Sequence, residues 1–153
     1  MRIAGDSRHP GEHRTAGRLG MTIKYDGYLN VLFVADYRKA RDFYENVMGL
    51  ECANATDGVD AFYNVGSNGM LLIARDIADD LLSPGDVDHE PSRGGRFVMA
   101  TGVDDVDDAY EELRAKGATF IREPEDRHWG LRCAHFTDPD GNVWEIHAPV
   151  AKG

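Results

Sequence analysis

Near its C-terminal end the chain carries Arg132, Glu145 and His147, three side chains able to move a proton or to meet a charged group, with the aromatic Phe136 between them in sequence. They fall in two runs, Leu131 to Thr137 and Asn142 to Ala148, on either side of the turn Asp138-Pro139-Asp140-Gly141. That pattern predicts a β-hairpin. If Thr137 pairs with Asn142, period-two alternation puts Val143, Glu145 and His147 on one face beside Arg132, Ala134 and Phe136. Leu131, Cys133, His135, Trp144 and Ile146 then take the other face, under a helix, and a one-residue slip would exchange the two sets. Three roles are open to the trio: a salt-bridged structural cluster, a polar wall for a bound ligand, or a Glu/His acid-base pair with Glu145 as the catalytic group.

Trp129 stands beside Gly130, where an indole can lie open over a cleft and hold a planar or cationic ligand by stacking for roughly 0.5 to 2 kcal/mol per contact, or else pack on its own domain. Phe62, Tyr63 and Phe97 are further aromatic candidates, with the core as their alternative place. Trp144 adjoins Glu145 and is expected on the opposite face, buried against Val106, Ala109, Tyr110 or Leu113. His89 and His128 read as solvated loop residues. Cys52 and Cys133 are isolated and form no CxxC pair, so they are expected to be buried, reduced thiols of a cytoplasmic protein.

These residues need elements to position them. From Tyr28 to Val34 the run is apolar and β-branched, and Asp36 opens a helical pattern in which Ala40, Phe43, Tyr44, Val47 and Met48 keep the 3.6-residue period up to Gly49. Strands are predicted near Glu51 to Thr56, Ala61 to Val65 and Met70 to Ala74, separated by Asp57-Gly58 and Ser67-Asn68-Gly69. The same order then returns: strand Arg96 to Gly102, helix Val106 to Lys116 closed by Gly117, strand Thr119 to Arg122, and the hairpin. Val34-Ala35-Asp36 and Val103-Asp104-Asp105 echo one another about seventy residues apart, as expected of a duplicated βαβββ unit. Residues 1–24 are expected to be a disordered leader. One domain should follow over 25–151, with module one at 25–76, a linker loop at 77–95 and module two at 96–151.

A chain of 153 residues fits one such domain, long enough to bury a core without staples. No apolar stretch approaches the ~20 residues that span a bilayer, which excludes a membrane helix. A net charge of -10 argues against nucleic acid as a partner and weakly favours a cationic ligand.

Taken together, Val34-Ala35-Asp36, Phe43-Tyr44, Met48-Gly49-Leu50, Val103-Asp104-Asp105-Val106, Trp129-Gly130 and the run Asp138 to Ile146 give an ordered pattern. Over nearly all of Tyr28 to Pro149 it resembles the vicinal oxygen chelate superfamily of glyoxalases, extradiol dioxygenases and bleomycin-resistance proteins. The resemblance implies an α+β fold in which paired βαβββ modules form an open, cup-shaped barrel around a ligand. In the enzyme branches a divalent metal is held from the first and last strand of each module. Those positions fall on Leu29, Val98, Ile73 and Glu145, of which only Glu145 can donate, with Asn30 the one ambiguous neighbour.

No metal and no cofactor are therefore expected, and the likeness is nearest the metal-lacking bleomycin-resistance branch, whose Pro-Trp-Gly loop Trp129-Gly130 resembles with His128 in place of proline. It implies a metal-independent binding protein, sequestering a small molecule such as an antibiotic in a cavity shared by two chains of a homodimer. Trp129, Arg132, Phe136, Glu145, His147, Phe62 and Phe97 are the expected ligand contacts. Two alternatives stand beside it. One is a lyase or isomerase acting on a small carbonyl compound, with Glu145 as acid or base and Arg132 or His147 holding an oxyanion. The other is a regulatory or partner-binding role for the linker loop.

Overall fold

The computed structural model describes Lys24, residues 28–80 and residues 97–151. The expected leader, apart from Lys24, and most of the expected linker lie outside the described residues. Module one runs β1 (Leu29–Val34), α1 (Tyr37–Asp42), β2 (Cys52–Thr56), β3 (Asp60–Val65) and β4 (Asn68–Ala74), and module two runs β5 (Val98–Gly102), α2 (Val106–Ala115), β6 (Thr119–Asp126), β7 (Leu131–Thr137) and β8 (Val143–Pro149). The sheets have one topology, β1-β4-β3-β2 and β5-β8-β7-β6. In each, the first strand runs parallel to the last and the other neighbours are antiparallel. This is the repeated βαβββ unit that the sequence echoes predict.

Both helices begin as the capping chemistry requires. Asp36 and Asp105 are extended, and each carboxylate accepts a hydrogen bond from the backbone N–H three residues on. α1 widens at Phe43–Val47 into a π-helical turn, with Met48 N–H bonded to Phe43 O and Leu50 N–H to Tyr44 O at 2.9 Å each. Phe43 and Tyr44 are both buried there. Gly49 and Gly117 follow the helices with φ of 71° and 101°, a region open to glycine at no steric cost. After β4, Arg75–Asp80 forms a short 3-10 helix.

Alternation divides each sheet into a helix-covered face and an open face. Leu32, Val34, Leu72 and Ala74 of module one, with Met99, Ala134, Phe136, Trp144 and Ile146 of module two, join Tyr44 and Tyr63 in one buried cluster. The rings continue across the two modules: Tyr44 lies 6.1 Å from Trp144 and Phe43 lies 6.3 Å from Phe136.

The hairpin turn ties the modules together. Asp138, 4% exposed, accepts from Asp140 N–H, Asn142 N–H and Asn142 Nδ2, and also from the Tyr44 hydroxyl at 2.5 Å. Burial, with the charge of Asp138 next, pushes the Tyr44 hydroxyl pKa well above its ordinary value, so it acts as a donor. Asp140 accepts from Ala35 N–H at 2.8 Å and lies 3.6 Å from the Arg75 guanidinium. Among the described residues no helix is long and apolar enough to cross a membrane.

Candidate functional site

The turn also decides which side chains share the open face. Asn142 is consumed by it, through its N–H, its amide and its carbonyl, which accepts from Asp138 N–H at 3.0 Å. The ladder therefore starts at Thr137↔Val143 and continues Phe136↔Trp144, His135↔Glu145, Ala134↔Ile146, Cys133↔His147 and Arg132↔Ala148. Directly opposed residues of an antiparallel pair project to the same side. The expected pairing of Thr137 with Asn142 is thus corrected by one residue, and one strand's set is exchanged relative to the other's.

Two expected contacts leave the face of Glu145 as a result. Arg132 turns to the helix side, where its guanidinium donates to both carboxylate oxygens of Asp107 on α2 at 2.7 and 2.8 Å and to Asp126 at 2.9 Å. Those bonds hold Arg132 charged, its pKa raised beyond the ordinary value. Phe136 is fully buried, stacked at 6.5 Å on Trp144 and packed against Phe43 and Phe120. Trp144 is buried as expected, with Tyr44 and Phe136 as its ring partners and its indole N–H 3.3 Å from the Tyr44 hydroxyl.

In their place stand His135 and Cys133, which the sequence reading put on the other side. His135 Nε2 lies 2.7 Å from Glu145 Oε2, and His147 Nδ1 lies 3.2 Å from Oε1 without the geometry of a hydrogen bond. Side-chain exposures are 18% for His135, 19% for Glu145 and 29% for His147, partly withdrawn from water yet reachable. Opposite His147, the Cys133 thiol is fully buried. Desolvation first, and the nearby Glu145 charge second, push its pKa up, so it is no thiolate at neutral pH.

Along β5, Ala100 pairs with Glu145 and Gly102 with His147. Both are exposed, and a methyl added at Gly102 would meet His147 Nε2 only at 3.9 Å. The polar cluster is thus bordered by a strip of backbone with almost no side chain, where a ligand can lie against the imidazoles and the carboxylate.

The remaining candidates are dispersed. Trp129 is 57% exposed in the β6 to β7 turn, edge-on to His128 at 4.7 Å, with Gly130 at φ 88° closing that turn. Phe62 lies on the open face of module one, opposite Leu71. Phe97, 55% exposed, borders a cleft of about 160 Å³ at the seam of the modules, together with Tyr28, Asn30, Met70 and Val98. Glu145 does not line that cleft, but Ala100, its partner on β5, does. Tyr63 belongs to the core, its hydroxyl donating to Glu45.

The residues do not fit the divalent metal of the enzyme branches. Leu29, Val98, Ile73 and Glu145 all face the open side, and their partners across the first and last strands are Gly69, Val143, Phe33 and Ala100. A firmly held ion needs about three N or O donors, and this set supplies Glu145 alone. Asn30 shares the helix-covered side with Leu32 and Val34, so it cannot join. Among the described residues no group of three or more His, Cys, Asp or Glu is arranged to hold a metal ion.

The sequence profile of the Glyoxalase/Bleomycin resistance protein/Dioxygenase superfamily matches residues 25–146. The protein YraH of Bacillus subtilis (strain 168) is 30% identical over 118 residues, covering 76% of this chain and 92% of its own length. A protein of Shewanella frigidimarina is 30% identical over 123 residues, covering 75% of this chain and 87% of its own. The crystal structure of a glyoxalase/bleomycin resistance protein/dioxygenase from Nocardioides superposes with a TM-score of 0.71 at 28% identity, over 87% of this chain and 89% of that one. A lactoylglutathione lyase from Agrobacterium tumefaciens shares the fold, with a TM-score of 0.63 at 21% identity over 81% of this chain and 94% of that one. With paired βαβββ modules matched over most of its length, the chain belongs to the glyoxalase/bleomycin resistance protein/dioxygenase superfamily.

Proposed function

We propose that this chain is a metal-independent small-molecule binding protein whose ligand lies on the open face of module two. One observation carries the reading: Glu145 stands between His135 and His147 beside the bare strip of Ala100 and Gly102. Polar groups converging on a half-buried, otherwise apolar sheet face are how small-molecule sites fix orientation. Trp129, in the β6 to β7 turn of the same module, offers an exposed flat surface, which favours a planar ligand. The net charge of -10 draws cations at long range. Sequestration of an antibiotic is the biological role proposed.

The open faces leave Leu29 41% and Val98 47% exposed. We read them as covered by a second copy, so that two chains close one cup. Native mass spectrometry of protein purified without chelator tests the whole reading. A dimer free of metal and carrying an organic adduct is the expected result. A stoichiometric divalent ion removable by EDTA would return the chain to the metalloenzyme branch.

The 2.7 Å contact of His135 with Glu145 also favours a second reading, a lyase or isomerase acting on a small carbonyl compound. A carboxylate and an imidazole in hydrogen-bond reach can hold and pass a proton. Glu145→Gln separates the two. A binder keeps most of its affinity, whereas an enzyme relying on that carboxylate loses turnover by ~100-fold or more.

A further inference from the structure

The first strands of the two modules, β1 and β5, are edges of separate sheets, and the cleft of about 160 Å³ is lined from both. Met70 and Met99 line it from the core, at 1% and 6% exposure. Tyr28 and Phe97, the residues just before β1 and β5, line it as well and are largely exposed. An apolar cavity of ~150 Å³ takes a benzene ring, so the cleft has room for one six-membered ring. Thioethers are polarizable and meet aromatic rings favourably, and the rings of Tyr28 and Phe97 add stacking or edge contacts.

The charge of the occupant follows from what is missing. Charged residues make up 29% of the sequence, yet none is among the described residues that line the cleft. An ion lodged there would lose water without gaining a partner, which is costly. The occupant is therefore neutral.

Asn30 supplies the hydrogen-bonding chemistry. It stands half-buried on the helix-covered side of β1 and lines the cleft. Its counterpart in the repeat is Met99, so the fold itself does not require an amide at this place. Among the described residues no hydrogen bond uses the Asn30 amide or the hydroxyl of Thr101, which also lines the cleft. An amide offers two N–H donors and a carbonyl acceptor, and a hydroxyl offers both roles. A partner that answers them donates and accepts in turn.

We infer that the seam cleft is a second small-molecule site, taking one neutral planar ring whose edge both donates and accepts hydrogen bonds, as in an aromatic amide or a pyrimidine base. It goes beyond the proposed site on module two. Glu145 does not line it, and Ala100 borders both.

Methionine-methyl 13C spectra of the full chain, titrated in turn with benzamide, benzoate, benzamidinium and toluene, test this, because the four share one ring and differ in charge and hydrogen bonding. Benzamide should shift the Met70 and Met99 signals saturably and bind more tightly than the other three. Asn30→Leu should weaken benzamide about tenfold, as for one lost hydrogen bond, and leave toluene no weaker. If that variant fails to fold, Thr101→Val carries the same comparison. No shift at either methionine, equal or tighter binding of any of the other three probes, or an unchanged preference for benzamide in the variant would each overturn the site.

Discussion

Arg132 shows how far a single residue's role depends on register. Read from the sequence, it completes a trio with Glu145 and His147. In the structure its guanidinium clasps Asp107 and Asp126 on the opposite side. Arg132→Ala is therefore expected to leave ligand affinity unchanged and to cost about 1 kcal/mol or less of stability, as exposed ion pairs do, read by calorimetric titration and thermal melting. Trp144 is the opposite case. Its burial was legible from its place beside Glu145 on an alternating strand, whereas its partners Tyr44 and Phe136 were not, since they depend on how the two modules meet. Trp144→Ala should cost ~3 to 5 kcal/mol, and a melting temperature near that of the parent chain would contradict the packing described. Glu145 was found from its charge on an apolar strand. His135 was missed because its face could be assigned only with the turn's hydrogen bonds in hand.

At the scale of elements, both helices and all eight strands were legible, because each follows its own hydrophobic period and is punctuated by Asp caps and glycines. The ends were less so. β6 runs on to Asp126, past the expected end at Arg122, through two irregularities and Pro124, features that hide a strand from alternation. The hairpin turn was seen as four residues, yet it closes over five because Asn142 bonds to Asp138. Asp138 thus organises the turn and fixes which side chains reach the open face. Asp138→Ala removes the acceptor of four hydrogen bonds and leaves a buried tyrosine hydroxyl short of one. It should destabilise by about 3 kcal/mol or more, and more than Tyr44→Phe, when both are compared by chemical denaturation.

For the molecule as a whole, the duplicated architecture could be read from the echo between the halves. The way the halves are joined could not, because it uses a carboxylate of one module on a backbone N–H of the other. Asp140 makes that joint sensitive to pH. Burial outweighs the Ala35 N–H and holds its carboxyl above the usual carboxylate range. An acid so shifted favours the folded state when protonated. That contribution is fully present below the unfolded value of about 4 and fades as pH rises through the raised folded value. Asp140→Asn lacks the dependence, so the gap in melting temperature should move in favour of the variant as pH rises across that window. A gap independent of pH would mean that the carboxyl is unperturbed.

The bond from Tyr44 to Asp138 spans 94 positions of the chain. During synthesis, the first module can form its own ladder well before residue 138 exists. Until then the Tyr44 hydroxyl has no acceptor from the second half, and the rings of Phe43 and Tyr44 lack the aromatic surface of Phe136 and Trp144 that covers them. A first half that folded ahead of the second would therefore present an uncovered aromatic face until the final hairpin arrived. A chain that stops short of that hairpin should be left sticky rather than merely shorter.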